Sequence, residues 1–283
     1  MSNEAMAANW ATGARGWVEN ERIFDAAFRP ITDAIVRAAD LDSARRVLDV
    51  GCGAGTLLEA AVAAGAAAVG VDISPAMTQA AQRRVPTATL VTADAQTTDL
   101  LDAAPGDPFD RVVSRFGVMF FADPVAAFAN IREACAPGAR LAFACWREGE
   151  TNQFTVGNEA LRARMPDPPR VPEVGEPGPL GLADGDRLRT VLADSGWNDL
   201  AIEPRDLVLD YSMDGSDGVE ERLAVALSGT LGRAARAALE PTLPPEEWNA
   251  LLDEARADLR RRIVDGAVRL DAKIWLVTAT NRA

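Results

Sequence analysis

The sequence predicts a doubly wound α/β fold. Two observations carry that reading. Between residues 45 and 146 short β-branched runs alternate with alanine-rich helical stretches, and the first run empties into a glycine-rich loop that opens a helix. Such a rhythm requires parallel strands joined by crossover helices. Residues 46–50 read as a buried strand, 56–64 as a helix and 68–72 as a second strand. Residues 75–84 read as a helix with Ser74 as N-cap and Pro75 at the first helical position, where a missing N–H costs nothing. Residues 89–92, 111–114 and 140–144 complete five strands. Asp123-Pro124 opens a helix that runs to about Cys135 and is stopped by Pro137-Gly138.

Ahead of this core, residues 16–39 carry apolar side chains at helical spacing (Val18, Ile23, Phe24, Ala27, Phe28, Ile31, Ala34, Ile35), broken at Pro30. The chain thus divides into an N-terminal helical lid (1–40), a core (41–147), a Pro/Gly-rich loop region (148–183) and a return to the core (184–283). Within the loop region, 165–181 reads as a loop with no element of its own. The return opens with a helix at 184–195 and a strand at 206–211. Two or three helices follow over 217–264, punctuated by Pro241 to Pro245, and form a cap insertion before a final strand or hairpin at 267–278.

Composition narrows the function. A chain of 283 residues exceeds the usual single-core size and suits an enlarged domain. The net charge of −13, from 29 basic and 42 acidic residues, opposes a nucleic-acid partner, which is bound largely by neutralising phosphates. A small-molecule partner is expected instead. The chain has no histidine, which excludes Ser-His-Asp and Cys-His hydrolases and any histidine-bearing zinc site. No metal site is expected. Cys52, Cys135 and Cys145 form no CxxC pair and read as reduced thiols of a cytoplasmic protein. The N-terminal stretch carries Glu4 and no apolar run, so neither a signal peptide nor a membrane span is expected. Both a monomer and a homodimer are compatible with the sequence.

The most informative segment is Asp49-x-Gly51-x-Gly53-x-Gly55, between the first strand and its helix. Glycines here let the backbone turn sharply and approach a ligand closely. A dinucleotide fingerprint, G-x-G-x-x-G, would need glycine at 56, where Thr56 stands. A second acid, Asp72, ends the next strand, placed to accept hydrogen bonds from two ribose hydroxyls. A third, Asp94, ends the third strand, where an acceptor suits an exocyclic adenine amine. Asp123 reads as a helix N-cap and the Arg-rich run 256–262 as a solvated helix face.

Taken in order, Asp49 to Gly55, Gly70-Val-Asp-Ile-Ser74, Thr92 to Gln96, Phe109 to Phe121, Pro137-Gly-Ala-Arg-Leu141, Ser195-Gly-Trp197 and Val268 to Thr278 resemble the motifs of class I S-adenosylmethionine-dependent methyltransferases. Within that class the chain is similar to the bacterial group like the ubiquinone and menaquinone methyltransferases. The resemblance implies a Rossmann-like seven-stranded sheet with an antiparallel last strand. It also implies S-adenosylmethionine, with S-adenosylhomocysteine as product, at the carboxyl ends of the first strands. Carried over, Gly51, Cys52, Gly53 and Gly55 would lie against the cofactor and Asp49 would reach its methionine ammonium or a water on it. Asp72 would take the ribose, Asp94 with Ala95 the adenine, and Ser114 and Phe116 the methionine and methyl end, with Ile73, Met77 and Gln96 also among the cofactor contacts. The methyl acceptor would meet Trp10, Trp17, Phe116, Met119 and Trp146. The Asn/Asp-Pro-Pro-Tyr signature of amino-methylating enzymes is absent after the fourth strand, where Ser114-Arg-Phe-Gly117 stands. The implied reaction is in-line methyl transfer to an O, S, N or C nucleophile of a small molecule. The other reading is a non-catalytic, cofactor-binding partner or regulator of the same fold. No catalytic base is assigned: a carboxylate, Tyr211, a thiol, Lys273 or water would have to serve.

Overall fold

The structure, a computed structural model, describes residues 3–147, 156–170 and 172–282. Three helices lead: α1 (Asn3–Glu19), α2 (Glu21–Ala27) and α3 (Arg29–Ala39). The chain bends at Phe28, and Pro30 sits in the first turn of α3, so the break precedes the proline that signalled it. Then follow β1 (Arg46–Val50), α4 (Thr56–Ala63), β2 (Ala67–Asp72), α5 (Pro75–Arg84) and β3 (Thr89–Thr92). A short α6 (Leu100–Ala103), capped by the Asp99 carboxylate, precedes β4 (Phe109–Arg115) and α7 (Pro124–Glu133). Asp123 caps α7, accepting from the Ala126 N–H at 3.0 Å. Ser74 does not cap α5 with its side chain. The Asp72 carboxylate accepts from the Ser74 N–H at 2.9 Å instead.

Two further boundaries depart from the sequence reading. Strand β5 runs from Cys135 to Trp146, longer than the expected 140–144. Helix α7 ends at Glu133, and Pro137-Gly138 is an irregularity within β5, Gly138 taking φ +80°. After α8 (Glu159–Arg164), a helix inside the expected loop region, and α9 (Gly185–Asp194), strand β6 spans Asn198–Asp210. Only its end was legible, because Glu203, Pro204, Arg205 and Asp206 suit an exposed edge strand and mask the alternation. The cap is α10 (Val219–Ser228), α11 (Thr230–Leu239) and α12 (Pro245–Arg260), and a two-residue arm β7 (Ile263–Val264) turns into β8 (Ala267–Thr280).

The main path of the sheet is β3-β2-β1-β4-β5-β8-β6, with β7 pairing off that path. The first five strands are parallel, and β8 lies antiparallel between β5 and β6. Strand order reverses at β1, which pairs with both β2 and β4, so a crevice opens at the carboxyl ends of those strands. The main core lies along the sheet, from Ile31 and Ile35 on α3 through Leu48, Val112 and Phe143 to Val277. A second cluster of Leu161, Met165, Ala235, Leu239, Trp248 and Leu251 gives the cap its own core. Helix α1 packs on the end of α10 through Gly16, where a Cβ would stand 2.7 Å from the Ser228 Cβ. Among the described residues no helix is long and apolar enough to cross a membrane.

Candidate active site

The loop after β1 turns on three left-handed glycines, Gly51 at φ +65°, Gly53 at +53° and Gly55 at +93°. Each does a different job. Gly51 crosses the loop after β4 so closely that a Cβ would lie 2.6 Å from the Gly117 Cα. Gly53 has open space on its Cα and donates its N–H to Asp72 at 2.9 Å. Gly55 packs against Ala81 of α5 and does not border the cavity.

Above these loops lies a cavity of about 540 Å³. It is bordered by Asp49, Gly51, Cys52 and Gly53 from the first loop, by Asp72, Ile73 and Met77 from the second, and by Asp94 and Ala95 from the third. Phe116, Met119 and Trp146, with Trp10 and Trp17 of α1, wall its other half. Three expected contacts lie elsewhere. Ser114 is fully buried beneath the loop, its hydroxyl donating to the Val50 carbonyl and accepting from the Gly117 N–H. It shapes the turn but does not reach the cavity. The Gln96 side chain accepts from the Asp123 N–H and ties two loops together outside the cavity. Gly55 is the third.

Phe116 is held in the left-handed region at φ +67°, a strained conformation for an aromatic residue, which costs on the order of 1–3 kcal/mol. Its ring stacks on Trp146 at 4.2 Å and meets Phe28 edge-on at 5.6 Å, contacts that hold it there.

The decisive group is Asp49. It is 1% exposed, and its Oδ1 has no hydrogen-bond partner among the described residues. Burial lifts its carboxyl to about 8, helped by the nearby Asp72 and opposed by Arg115. A buried carboxylate oxygen facing a glycine cradle suits a cationic, hydrogen-bond-donating ligand. Asp72 is likewise raised by burial, but the N–H groups of Ser74 and Gly53 oppose the shift. Burial first, then the two carboxylates, push the Cys52 thiol well above its ordinary value, so it is no nucleophile.

Residues 47–138, which hold this loop and its acids, match the family model described as a methyltransferase domain. Over that span the chain is similar to methyltransferase domains. An uncharacterized protein of Mycobacterium tuberculosis is 32% identical over 143 residues, 49% of this chain and 49% of that protein. The chain therefore spans about half the length of that relative. A demethylmenaquinone methyltransferase of Renibacterium salmoninarum is 29% identical over 175 residues, 59% of this chain and 72% of that protein. Phosphoethanolamine N-methyltransferase 2 of Haemonchus contortus, solved in complex with S-adenosyl-L-methionine, shares the fold at TM-score 0.56 and 18% identity. That likeness covers 96% of this chain and 57% of the other.

The site also contains residues that sequence reasoning missed. Arg115, the last residue of β4, is mostly buried and borders the cavity. It donates to the Thr32 hydroxyl at 2.8 Å and the Thr56 hydroxyl at 3.2 Å, and stands 3.5 Å from the Asp25 carboxylate. Asp25 in turn accepts from Thr56 at 2.6 Å and pairs with Arg84 at 2.5 Å. One guanidinium thus joins α2, α3, α4 and β4 beside Asp49. The only signal was a charged residue closing a β-branched run. Of the candidate bases, Lys273 does not border the cavity and the Tyr211 phenol, which does, is pushed up by burial.

Asp72→Ala is expected to weaken S-adenosylhomocysteine binding by roughly 1.5–3 kcal/mol, the worth of a charged acceptor, and also to lower the melting temperature. Both effects arise because the same carboxylate braces Gly53 and the start of α5. Calorimetry and thermal melts read the two separately.

Proposed function

We propose that the protein transfers the methyl group of S-adenosylmethionine to a small-molecule nucleophile by in-line displacement. The carrying observation is the unpartnered, buried Asp49 oxygen in a glycine cradle that opens into an aromatic-walled half-cavity. When bound, the cofactor supplies an electrophilic methyl group on a sulfonium leaving group. The chain's own residues do the rest. Asp49 would hold the ammonium, Asp72 would use its remaining lone pairs on the ribose hydroxyls, and Asp94 would face the adenine. Phe116, Trp146 and Met119 would exclude water and fix the acceptor's approach, so that orientation and desolvation supply the rate. With no histidine and a raised tyrosine, the reading favours an acceptor that arrives electron-rich or ionised. The charge of −13 favours a small molecule over a polyanion.

The test is release of S-adenosylhomocysteine across a panel of thiols, phenols, carboxylic acids and quinone precursors. Micromolar cofactor binding, about −7 to −8 kcal/mol, and turnover of at least one acceptor are expected. Binding of NAD without S-adenosylmethionine would overturn the reading.

The lid has its own test. Gly16→Leu is expected to lift α1 from Ser228, at roughly 1–3 kcal/mol of overpacking. Acceptor turnover should fall while S-adenosylhomocysteine affinity is retained. Full turnover in this variant would remove α1 from the acceptor site.

A further inference from the structure

The cavity is divided by charge. Among the described residues its carboxylates, Asp49, Asp72 and Asp94 with Asp25 and Glu21, come from the strand-end loops and from α2. The cap helices contribute arginines instead: Arg222 on α10 and Arg233 on α11. In a chain with 13 more acids than bases, an arginine wall facing an internal cavity is a local reversal of the overall charge. Three other arginines border the cavity but are engaged locally: Arg115 at the end of β4 is held by Thr32, Thr56 and Asp25, Arg162 donates to the Pro169 carbonyl, and Arg170 pairs with Glu176.

Arg233 is the informative one. It is half-buried, and its single described hydrogen bond runs from Nη1 to the Ser228 carbonyl at 2.5 Å. No described carboxylate pairs with it, so burial pulls its pKa below the ordinary arginine range with nothing to offset the cost. A guanidinium has five N–H donors in a planar fork suited to a carboxylate. The fork is placed against α1 at Gly13, where a Cβ would lie 3.3 Å from Nη2. Gly13 shares a helix face with Trp10, three residues before it, and Trp17, four after. Both indoles border the cavity; Trp10 meets Phe120 edge-on at 5.3 Å, and Trp17 stacks on Phe24 at 3.9 Å. Arg222, buried with its guanidinium 5.5 Å from the Tyr211 ring centroid, adds a second positive charge on the same wall.

We propose that the methyl acceptor is an aromatic carboxylate, its ring lying against Trp10 and Trp17 and its carboxylate anchored by the Arg233 guanidinium. The anchor sits on cap helix α11 and Asp49 at the end of β1, and in this proposal the carboxylate orients the molecule while a different atom receives the methyl group. This rests on the methyltransferase reading and gives it a substrate class.

The test is calorimetric titration of the protein saturated with S-adenosylhomocysteine, using sodium 2-naphthoate and its neutral analogue 2-naphthamide as probes. Naphthoate is expected to bind at least about tenfold tighter than the amide, the scale of one charge-assisted hydrogen-bonded pair. Arg233→Gln should erase that preference and Arg233→Lys should restore part of it, with S-adenosylhomocysteine affinity reporting an intact cradle in both. Equal affinity of the two probes for the wild-type protein, no naphthoate binding, or a preference that survives in Arg233→Gln would overturn the proposal. Failure of the underlying reading shows separately, as absent S-adenosylhomocysteine binding in the first titration; the probe preference is then read on the free protein.

Discussion

Asp49→Asn is expected to weaken S-adenosylhomocysteine binding by about a hundredfold or more, because a ligand ammonium would then be buried without its counter-charge, a loss of about 3 kcal/mol or more. The same residue sets a pH dependence. In the folded protein the Asp49 carboxyl ionises at about 8, against an ordinary value of 3.8. The native state therefore holds a proton that the unfolded chain has released. This contribution to stability is fully present below the unfolded value and is lost as pH rises through about 8. Ligand binding runs the other way. A cation against Asp49 favours its ionised form, so binding expels a proton and affinity should climb from pH 6 toward pH 8. Calorimetry in buffers of different ionisation enthalpy should show the proton release for the wild-type protein and none for Asp49→Asn. A wild-type affinity flat over that range would assign the ammonium to another group.

Arg115→Ala is expected to cost about 1.5–3 kcal/mol of unfolding free energy, the worth of hydrogen bonds from a charged group, because Asp25 keeps Arg84 and Thr56 as partners. The side chain takes with it two hydroxyl contacts and the charge facing Asp25. Arg115→Met, which keeps much of the volume, should recover part of that loss, since an apolar replacement needs no desolvated charge. Both variants remove the positive charge that opposes the rise in the Asp49 carboxyl. The pH at which ligand affinity reaches half its maximum should therefore move upward in each. Denaturant melts give the first quantity and pH-resolved calorimetry the second. Variants with an unchanged pH profile would show that Arg115 braces the fold without tuning Asp49.

The centre of the parallel sheet was legible because β1 and β2 are buried along most of their length and bounded by glycine or proline. Residues 46–50 and 68–72 read as apolar runs, and Ser74-Pro75 and Asp123-Pro124 announced the helices after them. The acids at 49, 72 and 94 were legible because a strand's end is a fixed place in this topology, and all three border the cavity. Legibility failed where a residue's role depends on what crosses over it. Gly55 has the same sequence context as Gly53, yet one packs on Ala81 and the other opens to the cavity. Ser114 and Phe116 are two residues apart, but the turn between them sends one beneath the sheet's end and the other into the site.

Read along the chain alone, the residues set the order of the main strands, the glycine cradle with its three acids, and the lack of histidine. These are local properties, set by periodicity, turn-forming residues and composition. Only the tertiary structure decided that Asp25, Thr32, Thr56 and Arg115 meet beside Asp49, and that α1 lies on α10 through Gly16 with Arg233 against Gly13. Those contacts join residues up to about two hundred positions apart, and their energy comes from burying charge and matching surfaces. Neither leaves a periodic trace along the chain.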